Sequence, residues 1–236
     1  MKPSAFLPLA LVAGFCLQSA PQARAATFTI QPLTEAESKD TKIYVSVPNS
    51  NFSSNLTVVS SDITDFRSLV QFDLSAIAGL TAADITTASL RLYATGLNTN
   101  ALSNETSATV TVSPILTDWR ETSADAGIAP LATWNAFFGT TPTLTFGAVA
   151  ATGTVTGVGY FDWDITTLVK SWKDGTLTNY GMMLQAPGPL GDVGISDTDT
   201  PAFAPALIVT SPVPEPTAAG LGVLGVLGLA LRRRRA

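Results

Sequence analysis

The chain of 236 residues carries 18 Asp and Glu against 13 Lys and Arg, a formal net charge of −5, with one cysteine and no histidine. Without imidazole the usual general base and the commonest metal ligand are missing, which excludes serine–histidine hydrolysis, histidine-dependent lyase chemistry and histidine zinc sites. Cys16 lies in an N-terminal apolar run, so the remainder has no disulfide, thiol nucleophile or thiolate metal site.

Lys2 precedes the apolar stretch Ala5–Leu17. At about a dozen residues it is shorter than the about 20 that span a bilayer, but it matches the hydrophobic region of a secretory signal. Ala23-Arg24-Ala25 then gives the small-x-small pattern that signal peptidase reads. The expectation is a signal peptide over residues 1–25, with an N-terminal helix of the domain as the alternative. Phe15 directly before Cys16 is not the small residue that lipidation requires.

Residues 26–211 have the length of one domain. They hold seven Lys and Arg against seventeen Asp and Glu, hence −10, so the exported part is more acidic than the whole. Such a surface repels the phosphates of nucleic acid. Lys42–Val47 alternates with Ile43, Val45 and Val47 on one face and runs into a turn at Pro48-Asn49-Ser50-Asn51. Leu56–Val59 and Ser68–Leu74 are further strand candidates, and Ala88, Leu90 and Leu92 alternate with Ser89, Arg91 and Tyr93.

Val110 and Val112 mark a strand reaching Ile115. Residues 117–133 read as a loop bracketed by Trp119 and Trp134, followed by strands at Leu144–Phe146 and around Val155 and Val158. Tyr160–Ile165 sets Phe161, Trp163 and Ile165 opposite Asp162 and Asp164. Thr166 is placed to cap a short helix that buries Val169 and Trp172 and stops at Gly175; Met182–Gln185 and Ala206–Val209 close the set. The expected class is all-β, a jelly-roll β-sandwich of about eight to ten strands with one short helix, besides an N-terminal signal helix and a C-terminal transmembrane-type helix.

At residues 212–236, Pro212, Pro214 and Pro216 keep a linker extended. The run from Thr217 to Leu231 reaches about 22 Å as a helix, and Arg232, Arg233, Arg234 and Arg235 follow. By the distribution of basic residues that arginine block stays cytoplasmic and the body of the protein outside. Val213 with Pro214-Glu215-Pro216, the apolar run and the arginines resembles the PEP-CTERM sorting signal of Gram-negative bacteria. The resemblance implies transient residence in the inner membrane, cleavage by an exosortase and delivery to the cell surface or matrix. A permanent single-pass anchor is the alternative.

The segments Asp40–Tyr44, Asn49–Phe52, Arg67–Ser75, Ala88–Tyr93, Trp119–Thr122 with Thr133–Asn135, Phe161–Thr166 and Tyr180–Met182 occur in an order similar to that of DNRLRE-type domains. These are relatives of the disaggregatase-related repeat and of a carbohydrate-binding module family. The resemblance implies a jelly-roll module that accompanies polysaccharide-active domains or forms a surface protein. Cations to grip an acidic polysaccharide are sparse here.

Trp119, Arg120, Glu121, Trp134 and Asn135 make a candidate glycan platform, because aromatic faces stack on sugar rings and guanidinium and carboxamide groups read hydroxyls. The other reading plugs the end of the sandwich with both tryptophans. Asp162 and Asp164 share a strand face about 6.5 Å apart, near glycosidase separations, with nothing to raise either pKa. Asp192, Asp197 and Asp199 lie in a carboxylate-rich segment whose oxygens suit calcium, although no cofactor is required. Together the resemblances imply a non-enzymatic surface or matrix protein whose partners are signal peptidase, exosortase and exopolysaccharide. A purely structural spacer is the alternative, and a polysaccharide-active enzyme comes third.

Overall fold

The computed structural model describes residues 25–32, 38–52, 56–60, 66–97, 106–122, 129–187, 191–196 and 200–212. The expected signal peptide and sorting tail lie outside them, apart from Ala25 and Pro212. Residues Ala25–Pro212 form a compact unit. Its strands are β1 (Ala25–Ile30), β2 (Ser38–Tyr44), β3 (Asn51–Phe52), β4 (Leu56–Ser60), β5 (Phe66–Phe72), β6 (Thr87–Leu97), β7 (Ala108–Pro114), β8 (Ala151–Val155), β9 (Gly159–Asp164), β10 (Met182–Gln185), β11 (Gly191–Ile195) and β12 (Ala206–Pro212), with helices α1 (Trp134–Phe138) between β7 and β8 and α2 (Thr166–Lys173) between β9 and β10. Among the described residues no helix is long and apolar enough to cross a membrane.

The strands pair antiparallel and build a β-sandwich. One layer runs β3-β2-β5-β10-β7-β8 and the other β1-β12-β6-β9, while β4 and β11 pair with each other and carry the hydrogen bonding from β5 to β6. Alternation explains the second layer. Ala88, Leu90 and Leu92 of β6, Trp163 of β9, and Leu207 and Val209 of β12 point inward and are buried, leaving the intervening residues outside. The Trp163 indole donates across the core to the carbonyl of Val110, 3.0 Å away on β7. It fits because a Cβ on Gly153 of β8 would sit 2.5 Å from the indole nitrogen.

The central strands of the first layer are covered on both faces, so β10 and the Ser68–Val70 stretch of β5 are buried without alternation. Val70, Phe72, Met182 and Leu184 join the core between the layers. Leu69 and Met183 turn the other way, into a second cluster with Ile43, Ile115, Trp119, Phe137 and Leu144. Residues 115–122 and 129–147, including α1, form the far wall of that cluster.

Several expectations shift. The strand expected over Lys42–Val47 is displaced toward the N-terminus: it follows β5 from Ser38↔Phe72 to Tyr44↔Phe66, and Val45–Val47 turn away before Pro48. Val47 is therefore exposed rather than aligned with Ile43. Leu144–Phe146 gives only an isolated bridge, Ile115↔Phe146, because that stretch covers the second cluster instead of extending a sheet. Gly191 and Asp192, expected in the carboxylate-rich segment, instead begin a strand, Gly191–Ile195, held on both edges by β4 and β6. Thr166 opens α2 as its first residue, and the Asp164 carboxylate accepts from its amide and hydroxyl. Gly175, with φ of 78°, follows the helix where a left-handed residue is needed.

Candidate functional site

The five residues of the expected platform do not form one surface. Trp119 is 0 % exposed, its indole donating to the Tyr180 carbonyl at 2.8 Å, and no ring face is left for a sugar. Glu121 is buried beside it in sequence, and Arg120 turns its Nε to the Ala129 carbonyl, stitching the two sides of the loop. Trp134 and Asn135 begin α1, which Thr133 caps by accepting from the Ala136 amide. Trp134 is half-buried, packs on Phe138 with centroids 4.6 Å apart, and lies under the Arg67 guanidinium at 5.6 Å. Exposed Asn135 donates to the Asn49 side chain at 2.8 Å and so fastens α1 to the turn after β2. Physically, Trp119 serves the second core and Glu121 is buried, whereas Trp134 and Asn135 sit on the surface of the helical layer.

For the calcium candidates, Asp197 and Asp199 lie outside the described residues, as does the side chain of Asp192. Among the described residues no group of three His, Cys, Asp or Glu side chains converges as metal ligands.

The two carboxylates on β9 have separate partners. Asp162 is cross-strand from Arg91 in the β6–β9 register and receives its fork at 2.8 and 2.9 Å. Asp164 accepts from the Thr166 hydroxyl at 2.6 Å and amide at 2.9 Å, which holds its pKa below the ordinary 3.8. A glycosidase acid needs the opposite shift. Neither carboxylate is spare.

The same local device recurs. The Asp84 and Asp174 pKa values are lowered by hydrogen bonds from the hydroxyls and amides of Thr81 and Thr176, with the hydroxyl the larger cause in each case. Because these folded pKa values lie below 3.8, their stabilisation is complete above that pH and is lost as pH falls through them. Thermal melts are expected to be insensitive to these groups above about pH 5 and to drop progressively below about pH 4. Replacing Thr81, Thr166 and Thr176 by valine should flatten the acid limb. An unchanged limb in that triple variant would remove these threonines as its cause.

The outer face of the second layer offers a different arrangement. Inward Leu90 and Leu92 leave Arg91 and Tyr93 outside on β6; inward Trp163 leaves Tyr160 and Asp162 outside on β9. Register sets Tyr93 opposite Tyr160, with rings edge to face at 5.0 Å. Phe203, in the turn before β12, lies 4.3 Å from the Tyr93 ring. The Tyr160 hydroxyl donates to the Ala202 carbonyl at 3.0 Å, and Gln31 donates to the Ala204 carbonyl at 2.9 Å, so both ends of that turn are tied down. Tyr160 remains 50 % and Phe203 37 % exposed, values that leave ring surface open to a ligand. This cluster was within reach of the sequence, since Tyr93 and Tyr160 fall on the polar phase of two alternating strands, where an aromatic side chain has no core to fill.

The family described as carbohydrate-binding module family 96 matches residues 31–211. No curated protein matches the chain.

Proposed function

Since the chain belongs to carbohydrate-binding module family 96, we propose that it is an exported, non-enzymatic protein of the cell surface or extracellular matrix that binds exopolysaccharide. The family match over residues 31–211 is the observation that carries the reading. The exposed rings of Tyr160 and Phe203, with half-buried Tyr93 packed against both, supply a surface suited to it, as aromatic faces shed water against the C–H faces of sugars. The paired states of Asp162 and Asp164 favour binding over hydrolysis.

Delivery rests on the ends of the chain. Residues 1–25 act as a signal for signal peptidase, and Val213-Pro214-Glu215-Pro216 with Arg232–Arg235 holds the precursor at the inner membrane for an exosortase of a Gram-negative host. The test is fractionation of the producing bacterium. The wild-type protein is expected to co-sediment with extracellular polysaccharide in a shortened form. A chain with alanine at Pro214, Glu215 and Pro216 should accumulate unshortened in the inner membrane. Identical processing of the two chains would reject exosortase sorting, and a wild-type protein free of polysaccharide would reject the matrix role.

A further inference from the structure

We propose that the Tyr93–Tyr160–Phe203 face takes a neutral polysaccharide, and that Arg91 and Asp162 beside it act as a mutually neutralised pair that reads sugar hydroxyls. The inference rests on the carbohydrate-binding reading above and narrows it to one face and one ligand class.

Charge decides the class. A polyuronate or sulfated glycan carries a negative group on many of its residues and is held by cations that have no other anion to serve. On this face the cation is Arg91, and its Nε and one terminal nitrogen already grip both oxygens of Asp162. The pair therefore presents no net charge to an approaching chain. Behind it stands a domain with ten more carboxylates than cations over residues 26–211. Exposed charges act over roughly 8 Å at physiological salt, so this excess opposes a polyanion and leaves a neutral chain unaffected.

The pair still has hydrogen-bonding capacity. A guanidinium has five N–H donors and a carboxylate about four lone-pair directions, and the fork uses two of each. What remains is a set of fixed donors and acceptors at a half-exposed position, with side chains 42 % and 44 % accessible. Sugar hydroxyls both donate and accept, and a neutral ring offers an apolar face beside them. Aromatic ring surface next to a self-neutralised polar pair complements both features.

Pre-organisation supports the same site. The Arg91 guanidinium lies 5.9 Å from the Tyr160 ring, the Tyr160 hydroxyl is anchored to Ala202, and Gln31 holds Ala204. A ligand would therefore spend little affinity on ordering side chains.

Affinity electrophoresis of the full chain in mild detergent tests this, with gels containing a neutral β-glucan, galactomannan or polygalacturonate, each at low and high salt. Retardation by a neutral polymer is expected, unchanged by salt. Tyr160→Ala should weaken it at least about tenfold with the thermal melt unaltered, and Tyr160→Phe, which keeps the ring, should retain most of it. Asp162→Asn uncovers the Arg91 charge and is expected to add a salt-sensitive retardation by polygalacturonate. Salt-sensitive retardation of the wild type by polygalacturonate alone would overturn the neutral assignment while leaving carbohydrate binding intact. Neutral binding that survives Tyr160→Ala would overturn this face as the site. Retardation by none of the polymers, acidic or neutral, would instead count against the carbohydrate-binding reading itself.

Discussion

Trp119→Ala is expected to destabilise the domain by about 3–5 kcal/mol, the range for truncating a buried aromatic side chain. For a domain of this size that lowers the melting temperature by roughly 10 °C. Trp119 is fully buried in the cluster that joins the outer face of the first layer to residues 115–122 and 129–147. Its removal would leave a cavity between Ile43, Leu69 and Met183 on the sheet and Ala132 and Phe137 on the covering segment. It would also orphan the Tyr180 carbonyl, which now accepts from the indole. Lys39 adds a rim: its ammonium donates to the Trp119 carbonyl at 2.9 Å and lies 5.3 Å from the ring. Trp119→Phe keeps much of the volume and loses the donor, so it should cost less than the alanine variant. Urea titration of both variants checks the order. A loss under about 1 kcal/mol for Trp119→Ala would mean that the cluster does not hold α1 and its flanking residues against the sheet.

The sequence left Trp119 open between glycan platform and plug, and the same long-range contact is the reason. Trp119 and Trp134 look alike along the chain, each flanked by polar residues in a stretch without periodicity. Burial separates them only once Ile43 and Met183, far away in sequence, are brought beneath the loop. By contrast, β6 and β9 were legible because each has one buried face, and a period of two then records inside and outside residue by residue. The same reading contained most of the open aromatic face, yet not its chemistry. That Arg91 meets Asp162 and Tyr93 meets Tyr160 depends on a β6–β9 register spanning about seventy residues, which no local pattern encodes.

Short elements were the hardest. α1 has five residues, too few to show a helical period, and depends on its Thr133 cap and on Phe137 reaching the second cluster. Gly191-Asp192 has weak strand propensity, and pairing on both edges overrides it to make β11. Phe203 sits in a turn whose place over Tyr93 is fixed by the anchors at Ala202 and Ala204 rather than by its own neighbours.

Gly181→Ala should be of similar severity to the loss of Trp119, and for a backbone reason. Gly181 precedes β10 with φ of 84°, a left-handed conformation that costs an L-residue roughly 1–2 kcal/mol. A Cβ there would also run into the Val70 carbonyl of β5 and lie 2.8 Å from Cβ of Gln71. Those atoms cannot yield easily. Val70 pairs with Met182 in the centre of the first layer, and Gln71 donates to the Asn179 carbonyl at 2.7 Å. Asn179 in turn donates to the Phe72 carbonyl and accepts from the Gly181 amide, while the Gly181 carbonyl accepts from Ile115. Overpacking of about 1–3 kcal/mol adds to the conformational term, giving about 2–5 kcal/mol in all. Gly79→Ala is the control, since a Cβ there meets nothing within 4 Å, and its effect should stay within about 0.5 kcal/mol. Similar melts for the two variants would show that the turn can open without disturbing β10. Expected instead is a large loss for Gly181→Ala alone, because this turn locks β10 to β5 and also sets the Tyr180 carbonyl that Trp119 requires.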